Sequence, residues 1–251
     1  MKTITDFKLK FDEKEHSYTY NGVPMISVTQ FIEQFKPKFD EKTISKFVAK
    51  KRKVSQKAIL KEWQDAKEIA CDLGNSVHKY AENKVLKKEQ DEPINDKDKI
   101  LRASVDDYFN KHPSLKPYLT EVQLCLPEYQ LAGTADLIMQ SDDGKMFLYD
   151  HKTSKEIRQK GFKNEKMFCP LAHLDNCNYV KYSLQLYIYV YMLKKRGCEI
   201  NGCYIIHYTK DGWKEYKALD VENEVEAMMQ FRLMDLHRQK ELKKIENELK
   251  K

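Results

Sequence analysis

Three apolar runs rich in β-branched and aromatic residues follow one another at 120 to 126, 131 to 141 and 145 to 152, and the connections between them are too short to hold a helix. Consecutive strands joined this tightly must run antiparallel, so the segment folds as a meander whose register is set by its turns. Asp142-Asp143-Gly144 reads as a three-residue hairpin loop with Gly144 in the left-handed position. Ser141 then faces Lys145 and, counting back, Asp136 faces Asp150. With Pro127 to Gln130 as a four-residue connection, Leu126 faces Leu131 and Glu121 faces Asp136. A slip of one residue in either register would undo this alignment.

The consequence is a row of acids inside strands that are otherwise apolar. Side chains alternate along a strand, so Asp150 and Lys152 share one face and His151 points to the other. Carboxylates on neighbouring strands repel, and an isolated sheet would not favour the row. A divalent cation resolves the conflict, because Mg2+ or Mn2+ takes hard oxygen ligands and phosphate oxygens together. Beside such an ion, the Lys152 ammonium can orient or help deprotonate an attacking water and offset charge developing on phosphorus, while the ion lowers the pKa of the water. The plain alternative is a surface hairpin whose aspartates and lysine form salt bridges worth ~0–1 kcal/mol each. The interruption of apolar strands by the acids favours the site.

The rest of the chain reads as a mixture of helices and strands. His16 to Thr29 forms a small hairpin about an Asn21-Gly22 type I′ turn, with a short helix after Thr29. Residues 41 to 71 are lysine-rich with apolar positions at helical spacing, a second helix runs from about Asn75 to Lys88, and residues 87 to 99 form a polar loop before a helix over 100 to 112. The Lys50-Lys51-Arg52-Lys53 run is a solvated face or a phosphate contact. A helix over 179 to 195, strands over 203 to 209 and 213 to 219, and a charged helix from Glu222 to the end complete the chain. No linker divides it, so the 251 residues are read as one domain, with an N-terminal hairpin and helical region to 70, a core over 71–220 and a C-terminal helix over 221–251.

Composition narrows the setting. Charged residues make up 33% of the chain, the net charge is +6, and no apolar run approaches the ~20 residues that span a bilayer, so a soluble protein with an acidic partner such as nucleic acid is expected and a membrane partner is not. The first residues lack the pattern of a secretory signal, which places the protein in the cytoplasm with its six cysteines reduced. The spacings Cys169 to Cys177 and Cys198 to Cys203 are poor zinc signatures, and buried structural thiols are the better reading.

An Asp, a short hairpin and then Asp-x-Lys resembles the PD-(D/E)XK nuclease superfamily, in particular its RecB-like and phage exonuclease branch. "GNSVHKYAE" looks like that branch's G-x-x-x-H helix, which implies His78 as a metal ligand, with Glu82 one turn later orienting it or binding substrate. "EVQLCLP" looks like the strand that carries an acid before the central Asp, implying a metal-site role for Glu121. "YSLQLYIYVYML" resembles the Q-x-x-x-Y helix, implying that Gln185 and Tyr189 lie near the catalytic centre and the nucleic acid; ordinary packing is the alternative. Ala135 stands where the superfamily's name has proline, but Gly133 to Asp136 matches the branch's G-x-x-D pattern. The iron-sulfur members need one cysteine before the histidine motif and three near the C-terminus; Cys71 imitates the first, only Cys198 and Cys203 follow the Q-x-x-x-Y helix, and no cluster is expected.

These readings imply an α/β fold with a restriction-endonuclease-like core, a mixed central sheet flanked by helices. The implied activity is a Mg2+- or Mn2+-dependent deoxyribonuclease using one or two ions. Asp136, Asp150 and Lys152 are its catalytic residues, and His78, Glu121, Asp136, Asp150 and the His151 carbonyl are the metal ligands. His151 is otherwise a packing residue. Lys155, Arg158 and Lys160 follow the catalytic strand in a mobile segment, as DNA contacts or a solvated loop. The branch favours an exonuclease on DNA ends in recombination, repair or replication, phage-encoded and working with an annealing or single-strand binding protein or a helicase. A structure-selective endonuclease on the same site, or a non-catalytic DNA-binding scaffold, are the alternatives.

Overall fold

The computed structural model describes residues 8–12, 15 and 17–249; His16 and most of the stretch read for a secretory signal lie outside them. Strands β1 (Leu9–Asp12), β2 (Ser17–Tyr20) and β3 (Val23–Ser27) form an antiparallel meander. Its second turn is the expected one, with φ of 49° at Asn21 and 79° at Gly22, the pair of positive values that a type I′ turn requires. Ser27 caps α1 (Val28–Glu33) through a reciprocal capping box with Gln30.

Next come α2 (Glu41–Arg52) and α3 (Gln56–Leu86). The helix expected from Asn75 is not separate: α3 passes through Gly74 without a break. A glycine inside a helix costs only ~1 kcal/mol relative to alanine, and the burial of Leu73, Val77 and Ala81 along one face outweighs that. Helix α4 (Asp96–Lys111) follows, capped by Asn95.

The meander expected from the sequence forms the centre of the sheet. Strands β4 (Leu115–Leu126) and β5 (Leu131–Ser141) pair antiparallel, as do β5 and β6 (Met146–Lys152). Strand β4 starts before the expected 120, and its register steps by one between Pro117 and Leu119. The β5–β6 turn has Gly144 at φ 82°, and Gln140 faces Met146 as the turn reading requires. After β6 the chain passes through α5 (Asn178–Lys195) to β7 (Gly202–Thr209), which pairs parallel with β6; β8 (Gly212–Lys217) and α6 (Glu222–Leu249) end the fold.

The result is a mixed eight-stranded sheet between helices. On one face Leu124, Ile138, Leu148 and Ile205 pack with α1, α5 and α6. On the other, Leu137, Met139, Tyr149, Ile206 and Tyr208 pack with α3 and α4. One detail of the sheet positions everything that follows. Strand β4 covers one edge of β5, while the opposite edge pairs with β3 only at Leu131 and Ala132 and with β6 only from Leu137 onward. Residues 133 to 136 lie in the fork between them.

Helix α3 is held to α4 through Ser76, which bonds both members of a buried ion pair within α4. Asp98 and Arg102 meet at 3.0 Å with side chains almost wholly buried; Asp98 also accepts from Ser76 of α3 and from the Ile94 amide, and Arg102 donates to Ser76 and to the Asp91 carbonyl. Removing one member strands the other, so Arg102→Met is expected to cost about 3–5 kcal/mol in urea unfolding, and the Asp98→Asn/Arg102→Met double variant less than Arg102→Met alone.

Candidate active site

The fork gathers the residues that the sequence singled out. The β5–β6 register, carried one residue past Leu137 and Tyr149, sets Asp136 opposite Asp150. Glu121 reaches the same place by a different route from the one expected. Thr120 pairs with Leu137 and Val122 with Ala135, but Glu121 between them leaves the ladder with φ 49°. A non-glycine residue in the left-handed region is uncommon and concentrates at functional positions. The Thr120 hydroxyl meanwhile donates to the Asp136 carbonyl at 2.9 Å. Ligand atoms of His78, Glu121 and Asp136 all lie within 4.8 Å of one another.

Each group is held by specific neighbours. The His151 amide donates to Asp136 Oδ2 at 2.8 Å. Lys152 Nζ lies 2.6 Å from Asp150 Oδ2 and 4.8 Å above the Tyr182 ring, and Gln185 Nε2 donates to Asp150 Oδ1 at 3.2 Å. His78 Nε2 is 2.8 Å from the His151 carbonyl, which can only accept, so Nε2 carries the proton. Its Nδ1 lone pair then faces Asp136 Oδ2 at 3.4 Å. A ring nitrogen bonded to a carbonyl while the other faces a cluster of acids is the usual arrangement of a metal-binding histidine. The His151 imidazole reaches Tyr208, whose hydroxyl lies 3.1 Å from its Nδ1, while its backbone amide and carbonyl face the cluster.

The electrostatics follow from burial without enough cation. Asp136 and Asp150 are both buried. Burial, and then the charges of Asp136, Glu82 and Asp150, push the Glu121 carboxyl up to about 8. Burial raises Asp150 to about 6 and lifts Asp136 above the ordinary range, although Lys152 and the His151 amide oppose the rise. Burial and then Lys152 push His78 down to about 4, which keeps its imidazole neutral near pH 7. Burial alone would lower Lys152, but Asp150 and Asp136 outweigh it and keep the ammonium charged. Three acids share one lysine, and a neutral imidazole offers a lone pair: this donor set fits a divalent cation.

Other sequence candidates occupy different positions. Glu82 is within 3.9 Å of Lys88 and adds negative potential at Glu121. Tyr189 is buried over Gly133, where a Cβ would come within 2.8 Å of its ring, so the glycine of G-x-x-D and the tyrosine of Q-x-x-x-Y fit against each other. The segment after β6, expected to be mobile, is tied down. Asn178 bonds the Arg158 amide and the Glu156 carbonyl, Asp175 takes the Gly161 amide, and His207 Nε2 meets the Ser154 carbonyl. Within it Arg158 pairs with Glu156 and Lys160 with Asp175, and both cations remain largely exposed. Sequence reading missed Tyr182 beneath Lys152, although its position three residues before Gln185 places both on one face of α5.

The fork of a mixed sheet thus brings together acids, a lysine and a neutral histidine, donors of the kind that hold a divalent cation. A family model described as the PD-(D/E)XK nuclease superfamily matches residues 45–248, and the chain belongs to that superfamily. No curated protein matches it. Among solved structures, one described as "Crystal structure of SSO0001" is similar over 83% of this chain and 74% of that one, at 15% identity and a TM-score of 0.37.

The raised carboxyl groups make stability and metal binding depend on pH. In the metal-free protein Glu121 and Asp150 bind protons more tightly folded than unfolded, so their contribution is full below about pH 4 and is lost as pH rises through about 6 and then 8. The melting temperature in EDTA is expected to fall across that window, and less steeply in Glu121→Gln. Mn2+ should raise it more at pH 8.5 than at pH 5.5, because binding must displace those protons. A metal effect independent of pH would contradict this assignment.

Proposed function

We propose that this nuclease is a Mg2+- or Mn2+-dependent deoxyribonuclease of the RecB-like branch that hydrolyses DNA from its ends, in recombination, repair or replication of a phage genome. The observation that supports the reading is that ligand atoms of His78, Glu121 and Asp136 lie within 4.8 Å of one another at the fork of the sheet, where the Lys152–Asp150 pair also stands. The four motifs stand in the branch's order, and a net charge of +6 suits a polyanionic substrate. All six cysteines are free, which suits a reducing cytoplasm, and no helix among the described residues is long and apolar enough to cross a membrane.

His78, Glu121, Asp136, Asp150 and the His151 carbonyl would hold one or two ions. A bound ion would supply Lewis-acid stabilisation of the phosphate and a lowered water pKa. The chain's own part is positional and electrostatic. The His151 amide fixes the Asp136 carboxylate, and Gln185 fixes that of Asp150. The charged Lys152 ammonium, steered by Asp150 and Tyr182, orients the attacking water and offsets negative charge at phosphorus as the P–O bond to the leaving oxygen breaks. His78, fixed in one tautomer by His151, offers its lone pair without needing to lose a proton near pH 7.

Asp136→Asn, Asp150→Asn and Lys152→Ala are each expected to lower cleavage of end-labelled linear DNA in Mg2+ by about 10^2–10^3-fold or more while circular dichroism stays unchanged. Near wild-type cleavage in two of the three would reject the site, and equal cleavage of closed circular DNA would reject the end-dependent activity. His78→Ala should raise the Mn2+ concentration needed for activity and weaken Mn2+ binding in calorimetry.

The tied-down segment after β6 offers Lys155, Arg158 and Lys160 to the phosphate backbone. Their surface ion pairs are weak enough to exchange for phosphate. If all three reach phosphates, changing them to serine should flatten the slope of log affinity against log salt by roughly 2.7, measured by fluorescence anisotropy on duplex DNA in Ca2+. Turnover at saturating DNA should change little. An unchanged slope would assign backbone binding to the exposed lysines of α2 and the first turns of α3, such as Lys46, Lys50 and Lys57.

A further inference from the structure

We infer that the cleft between the N-terminal hairpin and α5 takes one unpaired nucleotide of the substrate strand, which makes single-stranded DNA the form delivered to the carboxylates. The inference rests on the nuclease reading above and names its substrate class. The cleft has a volume of about 440 Å³, and its walls include Phe11, Tyr18, Thr29, Thr134, Gln185 and Tyr189. That size lies within the range of small-ligand sites.

Three features connect the cleft to the fork. Gln185 is both a wall of the cleft and the donor to Asp150. Thr134 lies two residues before Asp136 on the length of β5 that neither β3 nor β6 pairs. Tyr18 closes the inner side, its hydroxyl 3.0 Å from Thr134 Oγ1 and within the field of Glu121 and Asp136.

The chemistry of the lining selects a base rather than a phosphate. Among the described residues that line it, Glu15 is the one charged group. What the cleft offers is aromatic surface, with Phe11 and Tyr18 rings 4.6 Å apart and Phe11 half-buried, surrounded by the hydroxyl and amide groups of Ser27, Thr29, Gln30 and Thr134. Aromatic side chains stack unpaired bases of any sequence, and hydroxyl and amide groups satisfy base edges. A duplex keeps its base faces stacked inside and has none to give. The family match begins at residue 45, so this wall comes from the chain's own N-terminal addition, which β3 ties into the sheet beside Leu131 and Ala132.

The test scans a single-stranded oligonucleotide with one abasic position at a time, measuring affinity in Ca2+ by anisotropy for wild type, Phe11→Ala and Phe11→Trp. In wild type one position should weaken binding about tenfold when its base is removed. That position should have no effect in Phe11→Ala and should keep its effect in Phe11→Trp, which preserves the aromatic surface even if the smaller residue loosens the hairpin. The same sequence as a duplex should bind wild type and Phe11→Ala alike. A flat abasic profile, or the same profile in wild type and Phe11→Ala, would overturn the inference. Cleavage of the intact oligonucleotide in Mg2+ is scored separately: absence of cleavage with a Phe11-dependent abasic position would sink the nuclease reading and leave the cleft standing, and cleavage with a flat profile the reverse.

Discussion

Asp136 and Asp150 stand opposite each other one residue beyond the last pair of the β5–β6 ladder, with Glu121 turned toward Asp136 from the next strand, and this crowding of like charge inside a sheet is the constraint around which the fold is arranged. A sheet left to itself would place apolar or oppositely charged partners there. The cost is visible in the raised carboxyl groups: in each case burial is the largest cause, because the helical layers on both faces exclude the water that would have solvated the charges. The fold thus spends stability to hold a strong negative potential where one lysine cannot neutralise it. A structural ion-pair network would instead match each acid with a cation, as Asp98 is matched with Arg102 on the far side of α3.

The two helical layers make different contributions to that potential. Helix α3 brings His78 over the end of β6, and its position relative to α4 depends on the Ser76, Asp98 and Arg102 contacts. Helix α5 supplies three residues along one stripe: Tyr182 beneath the Lys152 ammonium, Gln185 on Asp150 and Tyr189 against Gly133. The glycine is required where the helix sits closest to β5, since any Cβ there would meet the Tyr189 ring. The Q-x-x-x-Y and G-x-x-D patterns are therefore two halves of one packing arrangement.

Local rules made much of this legible. The Asp142-Asp143-Gly144 turn fixes its own register, and from that register alone Asp136 falls opposite Asp150 and Lys152 falls beside Asp150. The Asn21-Gly22 turn and the short helix that follows it are legible from equally local signals. What the sequence did not reveal depends on distant partners. The left-handed turn at Glu121 is not a preference of glutamate; it is held by paired residues on both sides and by Thr120 on the Asp136 carbonyl. Continuity of α3 through Gly74 depends on burial of Leu73 and Val77, which outweighs a local helix penalty. The order of the segment after β6 comes from Asn178, Asp175 and His207, residues that no local pattern associates with Arg158, Gly161 or Ser154.

The fork itself follows from connectivity. Strand β6 turns back onto β5 through a tight hairpin and must pair from the turn inward, while β3 arrives parallel to β5 and can pair only with its beginning. Both use the same edge, because β4 takes the other. Two strands approaching one edge from opposite ends leave a gap between them, and β5 crosses it with Gly133, Thr134, Ala135 and Asp136. A glycine admits Tyr189, a threonine hydroxyl meets Tyr18, and the aspartate ends the gap where β6 begins. The acid is thereby held by β4 on one side, while β6 pairs with β5 only from the next residue on the other. An acid placed farther along β5 would be covered by β6, and one placed earlier would be covered by β3, so this length of the strand is where a carboxylate can be both fixed by the sheet and reached by a substrate.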